Sequence, residues 1–334
     1  MARPSSEFVL AWNSLGAGDG ARGWRTIAVT PAGPCHLSAG RRSPGNEEAL
    51  LAGFPTAGVP AAEQLPEGQG FHFERVDPGD DGMTWLALTR NPSGSADLFL
   101  SMACDVAGAL DVESGSDESR LLRVLLARVR AWQEFMRKGA RALGPEAEIG
   151  LIGELAVASA VIEAGVPAAA AIESWVGPID GIQDFELGTG ALEVKATLSQ
   201  VGFSACIGSL DQLDDSIRQP LFVACVRLRQ TMNGQNLPGF VADLRSASVG
   251  NMEAERLLSD RLLSAGYFDA HADRYPRRFA LSAVRVVEVG NDFPRLTPGR
   301  VPSGILKARY EIDLDRVPGE DVGVAGALKR LGVI

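Results

Sequence analysis

Histidine and cysteine are scarce in this chain: 334 residues hold three histidines and four cysteines. His36, His72 and His271 lie far apart, so neither a His-rich metal site nor a His-based triad has material to build on. Cys35, Cys104, Cys206 and Cys225 include no C-x-x-C pair, which points to free buried thiols rather than a disulfide framework or a zinc site. There is no G-x-S-x-G, no G-x-x-x-x-G-K-[ST] and no well-placed G-x-G-x-x-G. That argues against a serine hydrolase, a P-loop NTPase and a dinucleotide enzyme. No stretch approaches the ~20 uninterrupted apolar residues of a membrane helix. No apolar run of signal-peptide length follows Met1, so the expected location is cytoplasmic, away from membranes.

Positive charge is also short. Lys and Arg total 32 against 42 Asp and Glu, a net charge of -10. Such a chain is no indiscriminate binder of nucleic acid or anionic lipid, and any contact with a polyanion needs a local patch. Lysine is the rarest cation. Only Lys138, Lys195, Lys307 and Lys329 occur, and the other 28 basic residues are arginine.

What remains is an ordinary globular mixture, 46% hydrophobic and 22% charged, long enough for two domains. Residues 1–113 read as a β-rich N-terminal domain, with short strands at 8–12, 24–29, 71–76 and 84–89 between Gly/Pro/Asp turns, and mostly loop over 30–70. Residues 114–334 read as an α/β domain. Leu122, Leu125, Leu126, Val129, Trp132 and Met136 recur at helical spacing. A second helix is predicted over 146–164, with Pro145 in its first turn and Gly165 at its cap. Strands follow at 182–187 and 191–198, joined by Gly188-Thr189-Gly190, and near 203–207. Ser209-Leu210-Asp211-Gln212 has the form of a capping box. The apolar run 221–228 suits a strand covered on both faces. A helix over 252–265, a strand over 279–289 and strict alternation from Leu306 to Leu314 complete the pattern.

Chemistry concentrates in one stretch. In a strand, Glu193 and Lys195 point to one face, while Leu192, Val194 and Ala196 point to the other, toward the core. The charged pair is then expected to face water or a cleft. Asp184, on the preceding strand, comes near Glu193 across the turn. Two close carboxylates are unfavourable unless a cation neutralises them, and oxygen ligation suits Mg2+ or Mn2+. With 42 acids in the chain, Glu-x-Lys arises readily by chance, and an exposed ion pair explains it as well. A third acid adds weight. On the 146–164 helix, Glu154 falls inside the apolar stripe of Leu151, Leu155, Ala158, Val161 and Ile162. It is either a core glutamate paired with an arginine or a further member of the same cleft.

These segments, Gly150-Leu151-Ile152-Gly153-Glu154-Leu155, Asp184-Phe185, Glu193-Val194-Lys195 and Ser209-Leu210-Asp211-Gln212-Leu213, occur in an order that resembles the PD-(D/E)XK family proteins, a bacterial family tied to restriction-like and phage-defence gene clusters. Asp97-Leu98-Phe99, Cys104-Asp105, the Trp132 helix, Gly266-Tyr267 and Asp292-Phe293-Pro294-Arg295-Leu296 extend the likeness along most of the chain. The resemblance implies a restriction-endonuclease-like α/β core, a mixed sheet flanked by helices. It implies hydrolysis of DNA phosphodiester bonds assisted by Mg2+ or Mn2+. Asp184, Glu193 and Glu154 would be metal ligands, with Lys195 the catalytic lysine. Gln212 falls in a matching stretch without an assigned role. One departure stands out: Gln183, not proline, precedes Asp184, and Pro178-Ile179-Asp180 offers a competing aspartate. DNA is the implied partner. Helicase/ATPase or methyltransferase subunits of a defence system, or a second copy in a homodimer, are further candidates. A catalytically inactive DNA-binding or scaffold subunit, and a nuclease acting on RNA or single strands, are the competing readings. Three basic groups could track phosphate: seven Arg/Lys over 120–141, then Arg274, Arg277 and Arg278, then Arg295, Arg300, Lys307 and Arg309.

Overall fold

The computed structural model describes residues 4–16, 23–59, 64–68, 70–79, 81–137 and 141–334. The chain divides into two compact units, Met1–Ala140 and Arg141–Ile334.

In the first unit, α1 (Ser5–Leu15) precedes the strands β1 (Gly23–Ala28), β2 (His36–Ser43), β3 (Glu47–Phe54), β4 (Phe71–Val76) and β5 (Thr84–Arg90), then the helices α2 (Ala96–Val112) and α3 (Glu118–Arg137). The strands form an antiparallel sheet in the order β1-β2-β3-β5-β4. Two expectations fail here for identifiable reasons. Residues 8–12 are helical, not a strand: Phe8, Ala11 and Trp12 are buried at helical spacing, and Trp12 Nε1 donates to the Ala49 carbonyl at 2.9 Å. Residues 30–70 contain β2 and β3 rather than mostly loop. Their small residues lie under large neighbours: a Cβ on Gly53 would come within 2.8 Å of the Trp85 ring, and one on Gly40 within 2.4 Å of Leu51. Glycine here accommodates cross-strand packing, which overrides its low strand propensity.

The second unit contains α4 (Pro145–Glu163), α5 (Ala168–Ser174), a 3-10 turn at Gly177–Ile179, β6 (Phe185–Leu187), β7 (Gly190–Thr197), β8 (Ser204–Ile207), β9 (Leu221–Gln235), α6 (Leu237–Ser248), α7 (Met252–Ser264), a 3-10 turn at Asp269–Arg274, β10 (Phe279–Glu288), β11 (Tyr310–Asp313) and α8 (Gly323–Arg330). Its sheet has the order β10-β9-β7-β6, with β7 and β9 parallel and the other pairs antiparallel. Both faces are covered, as the apolar 221–228 run requires. Leu192, Val194, Phe222, Ala224 and Val226 join a core with α4, α5, α6 and α7. Ala191, Leu221, Val223 and Cys225 join a second core with the β8–β11 ribbon and Phe293. This is the mixed α/β, restriction-endonuclease-like core. Two local expectations fail. Only Tyr310–Asp313 of the alternating stretch pairs as a strand, and Leu306 is exposed. Ser209–Gln212 begins no helix. Among the described residues, no helix is long and apolar enough to cross a membrane.

Candidate active site

The site forms where the β6–β7 ladder stops. The register pairs Leu187 with Gly190, Glu186 with Ala191 and Phe185 with Leu192, so Asp184 and Glu193 stand one step beyond the last pair. There the backbone diverges. The Asp184 carbonyl accepts from the Val176 and Gly177 amides. The free Val194 amide of β7 is capped by the Asp184 carboxylate itself, Oδ2, at 2.7 Å. Gly177 allows this seat, because a Cβ at that position would come within 2.7 Å of Asp184 Oδ1. Residues that would follow one another along a hairpin are thereby turned so that two acids meet at a sheet end.

Glu193 is only 1% exposed. Of the two expected surroundings for the charged face of β7, water or a cleft, open water is excluded at Glu193, where the second core and the segment after β8 close over the side chain. Its Oε1 receives Lys195 Nζ at 2.7 Å and Gln212 Nε2 at 3.0 Å. Its Oε2 is buried without a hydrogen-bond partner. Such an orphan is costly, and the cost is what a ligand at that oxygen would relieve.

Glu154 arrives from α4. Gly153 lets the helix approach β7 closely, since a Cβ there would lie 2.8 Å from the Ala196 Cβ. Glu154 Oε2 accepts the Trp175 indole N–H at 2.7 Å. No Arg or Lys is paired with Glu154 among the described residues, so it is not a core glutamate matched to an arginine.

Burial dominates the electrostatics and pushes the Glu154 carboxyl up to about 8, with the Asp184 charge adding to it and the Trp175 hydrogen bond opposing. Burial likewise lifts Glu193 to about 8, again with Asp184 adding and Lys195 opposing. Asp184 is raised by burial, against the pull of the Val194 amide and Lys195. Burial alone would lower the Lys195 ammonium, but Glu193 and Asp184 outweigh it and hold the group above the ordinary lysine value, hence charged. Three acids thus share one lysine, and the cluster is short of positive charge.

The competing aspartate, Asp180, sits exposed in a left-handed turn at φ 64° after Gly177–Ile179. Asp184 is the one whose carboxylate reaches β7. Two participants without a role in the sequence reading emerge. Trp175 holds Glu154, and Gln212 holds Glu193. No spacing rule flags either one, because each contact joins segments distant in the chain. The basic groups fare unevenly. Arg128 is buried against Asp105, Arg277 pairs with Glu148, and Arg295 is buried against Asp215, so these three serve the fold rather than a phosphate groove. Arg123, Arg274, Arg300, Lys307 and Arg309 are exposed. Lys138 lies outside the described residues.

A family model described as "Putative PD-(D/E)XK family member" (DUF4420) matches residues 9–315. The chain belongs to this family. No curated protein and no solved structure matches it. The matched span of this PD-(D/E)XK member includes Glu154, Asp184, Glu193, Lys195 and Gln212, and the family supplies a nuclease-like assignment.

The PD-(D/E)XK motif implies a divalent cation, and the donor set can be tested for it. Among the described residues, no three His, Cys, Asp or Glu side chains are placed so that together they could hold a metal ion. The chemistry nonetheless fits a hard cation. All available donors are carboxylate oxygens, burial disfavours their charged forms in the absence of a cation, and one buried oxygen of Glu193 has no partner.

Proposed function

We propose that this protein is a divalent-metal-dependent endonuclease that hydrolyses DNA phosphodiester bonds as a component of a restriction or phage-defence system. The observation that carries the reading is the set of three carboxylates served by a single ion pair, Lys195–Glu193 at 2.7 Å, at the open end of the β6–β7 ladder. Asp184, Glu193 and Glu154 would hold Mg2+ or Mn2+. When bound, the ion would neutralise the acids, polarise the phosphodiester and lower the pKa of a bound water.

The protein's own groups supply the rest. Lys195 stays charged and compact beside Glu193, where it can orient the attacking water and offset negative charge developing on the phosphate. Hydrolysis forms a new bond from the water oxygen to phosphorus and breaks the bond to one sugar oxygen, which leaves with the bonding pair and takes up a proton. The Val194 amide keeps one Asp184 oxygen occupied and fixes the direction of the other. Trp175 does the same for Glu154. Exposed Arg300, Lys307 and Arg309 would contact the phosphate backbone. The alternative, a nuclease-fold subunit without catalysis, leaves the partnerless Glu193 oxygen unexplained.

The test is cleavage of supercoiled plasmid DNA with Mg2+ or Mn2+. Wild type is expected to nick or linearise it. Asp184→Ala and Lys195→Ala should each fall by about 100-fold or more, the usual cost of losing one electrostatic contact to the transition state. Equal cleavage by all three proteins would refute the assignment.

A further inference from the structure

The segment between β8 and β9, residues 208–220, contains neither helix nor strand, yet two buried polar side chains from elsewhere grip it. Gln183, 6% exposed, donates from Nε2 to the Asp211 and Gln212 carbonyls at 3.3 and 3.4 Å. Arg295, 9% exposed, donates to the Leu213 carbonyl at 2.7 Å and pairs with Asp215 at 2.9 Å. Burying an amide and a guanidinium to hold an irregular strand of backbone is expensive unless the placement matters. What is placed is Gln212. Its Oε1 accepts the Gly208 amide at 2.7 Å, which fixes the orientation of the amide group and aims Nε2 at Glu193 Oε1, 3.0 Å away. Glu193 Oε1 is then doubly occupied, by Gln212 and Lys195, and Oε2 alone is left without a partner.

We infer that Gln212 is a positioning residue that locks the Glu193 carboxylate with Oε2 presented to a divalent cation, and that Gln183 serves the same end by anchoring the Gln212 segment to the Asp184 arm. The inference rests on the proposed metal-dependent function and deepens it. Gln183 stands where the family signature has proline. A proline has no side-chain donor, so the departure from the motif provides the very group that ties the first acid's arm to the segment holding the second. Outer-sphere partners of this kind set the aim of a metal ligand rather than touching the metal or substrate.

The experiment is calorimetric titration of the full chain with MnCl2 alone, without DNA, beside thermal melting of the same samples. Gln212→Met keeps the side-chain length but removes both amide contacts. Gln212→Asn keeps the amide but shortens it by one methylene, so it cannot reach Gly208 and Glu193 together, and it serves if the methionine variant does not fold. Each is expected to bind Mn2+ about 10–100-fold more weakly than wild type, the typical cost of losing an outer-sphere partner. The melting temperature without metal should fall by no more than roughly 8 °C, as expected for two lost hydrogen bonds, one of them to a carboxylate. Unchanged Mn2+ affinity overturns the inference, as does a loss of affinity in both variants that merely tracks a loss of folded protein. If wild type itself binds no Mn2+, the metal-dependent function falls. If wild type binds and the variants bind equally well, only the role of Gln212 falls.

Discussion

Two tryptophans of this protein do the same thing in different company. In the first unit, Trp132 Nε1 donates to Asp105 at 2.7 Å, and Arg128 adds two further bonds to the same carboxylate at 2.6 Å each. In the second unit, Trp175 Nε1 donates to Glu154 at 2.7 Å, and among the described residues no arginine pairs with that carboxylate. Asp105 is a finished structural pair, its half-buried carboxylate matched by the buried Arg128 guanidinium. Glu154, Asp184 and Glu193 are unfinished: three acids, one lysine, one orphaned oxygen. The indole-to-carboxylate distance is the same in both places. The missing countercharge is what distinguishes a site from a strut.

The largest effect is expected at the Arg128–Asp105 pair. Arg128→Met leaves the half-buried Asp105 carboxylate with the Trp132 indole alone among its described partners, and is expected to cost about 2–4 kcal/mol in urea unfolding of the first unit. A loss below about 1 kcal/mol would mean that Asp105 is not held as a structural pair. A smaller effect sharpens the contrast. Trp132→Phe and Trp175→Phe each remove one N–H donor to a carboxylate, worth roughly 1–3 kcal/mol. Their pH responses should differ. The Trp175 bond opposes the rise of the Glu154 carboxyl, so its loss should carry the pH-dependent loss of stability to higher pH. Trp132→Phe leaves the Arg128–Asp105 pair in place and should not move the pH-dependent loss of stability that Glu154 brings. Parallel pH profiles in melting experiments on the two variants would dissolve the distinction.

Much of the second unit was legible in the sequence, and the reasons are physical. Helix α4 announces itself by its proline start, glycine stop and apolar stripe, and β9 by a continuous apolar run that a doubly covered sheet demands. Glu193 and Lys195 share a strand face because alternation allows nothing else. The first unit was harder to read. Its strands β2 and β3 are built from Ala, Gly and Leu, whose pairing depends on Trp85 and Leu51 across the sheet, and no local signal encodes that. In the site, the acids could be named because charge at a core position is conspicuous. Trp175, Gln183 and Gln212 could not, because a neutral donor gains meaning only from the partner that folding brings to it. The Ser209–Gln212 stretch looked like a capping box, yet no helix follows. Gln212 turns back to the Gly208 amide as such a box would, and spends its remaining donor on Glu193.

The most direct test of the unfinished site is thermal unfolding of the cation-free protein between pH 5 and 8.5, for wild type and Glu193→Gln. A carboxyl raised to about 8 in the folded state, from an ordinary value of 4.5, binds its proton more tightly folded than unfolded. It therefore stabilises fully below pH 4.5, and that stability is lost as the pH rises through about 8. Wild type should lose melting temperature over that window and recover it when Mn2+ is added. Glu193→Gln, with one charge gone, should show a shallower decline. At pH 8.5 it should melt above cation-free wild type by a few degrees, for a gain of about 1–2 kcal/mol. A wild-type melting temperature indifferent to both pH and Mn2+, or a Glu193→Gln protein less stable than wild type at pH 8.5, would contradict the claim that these carboxylates are held short of a countercharge.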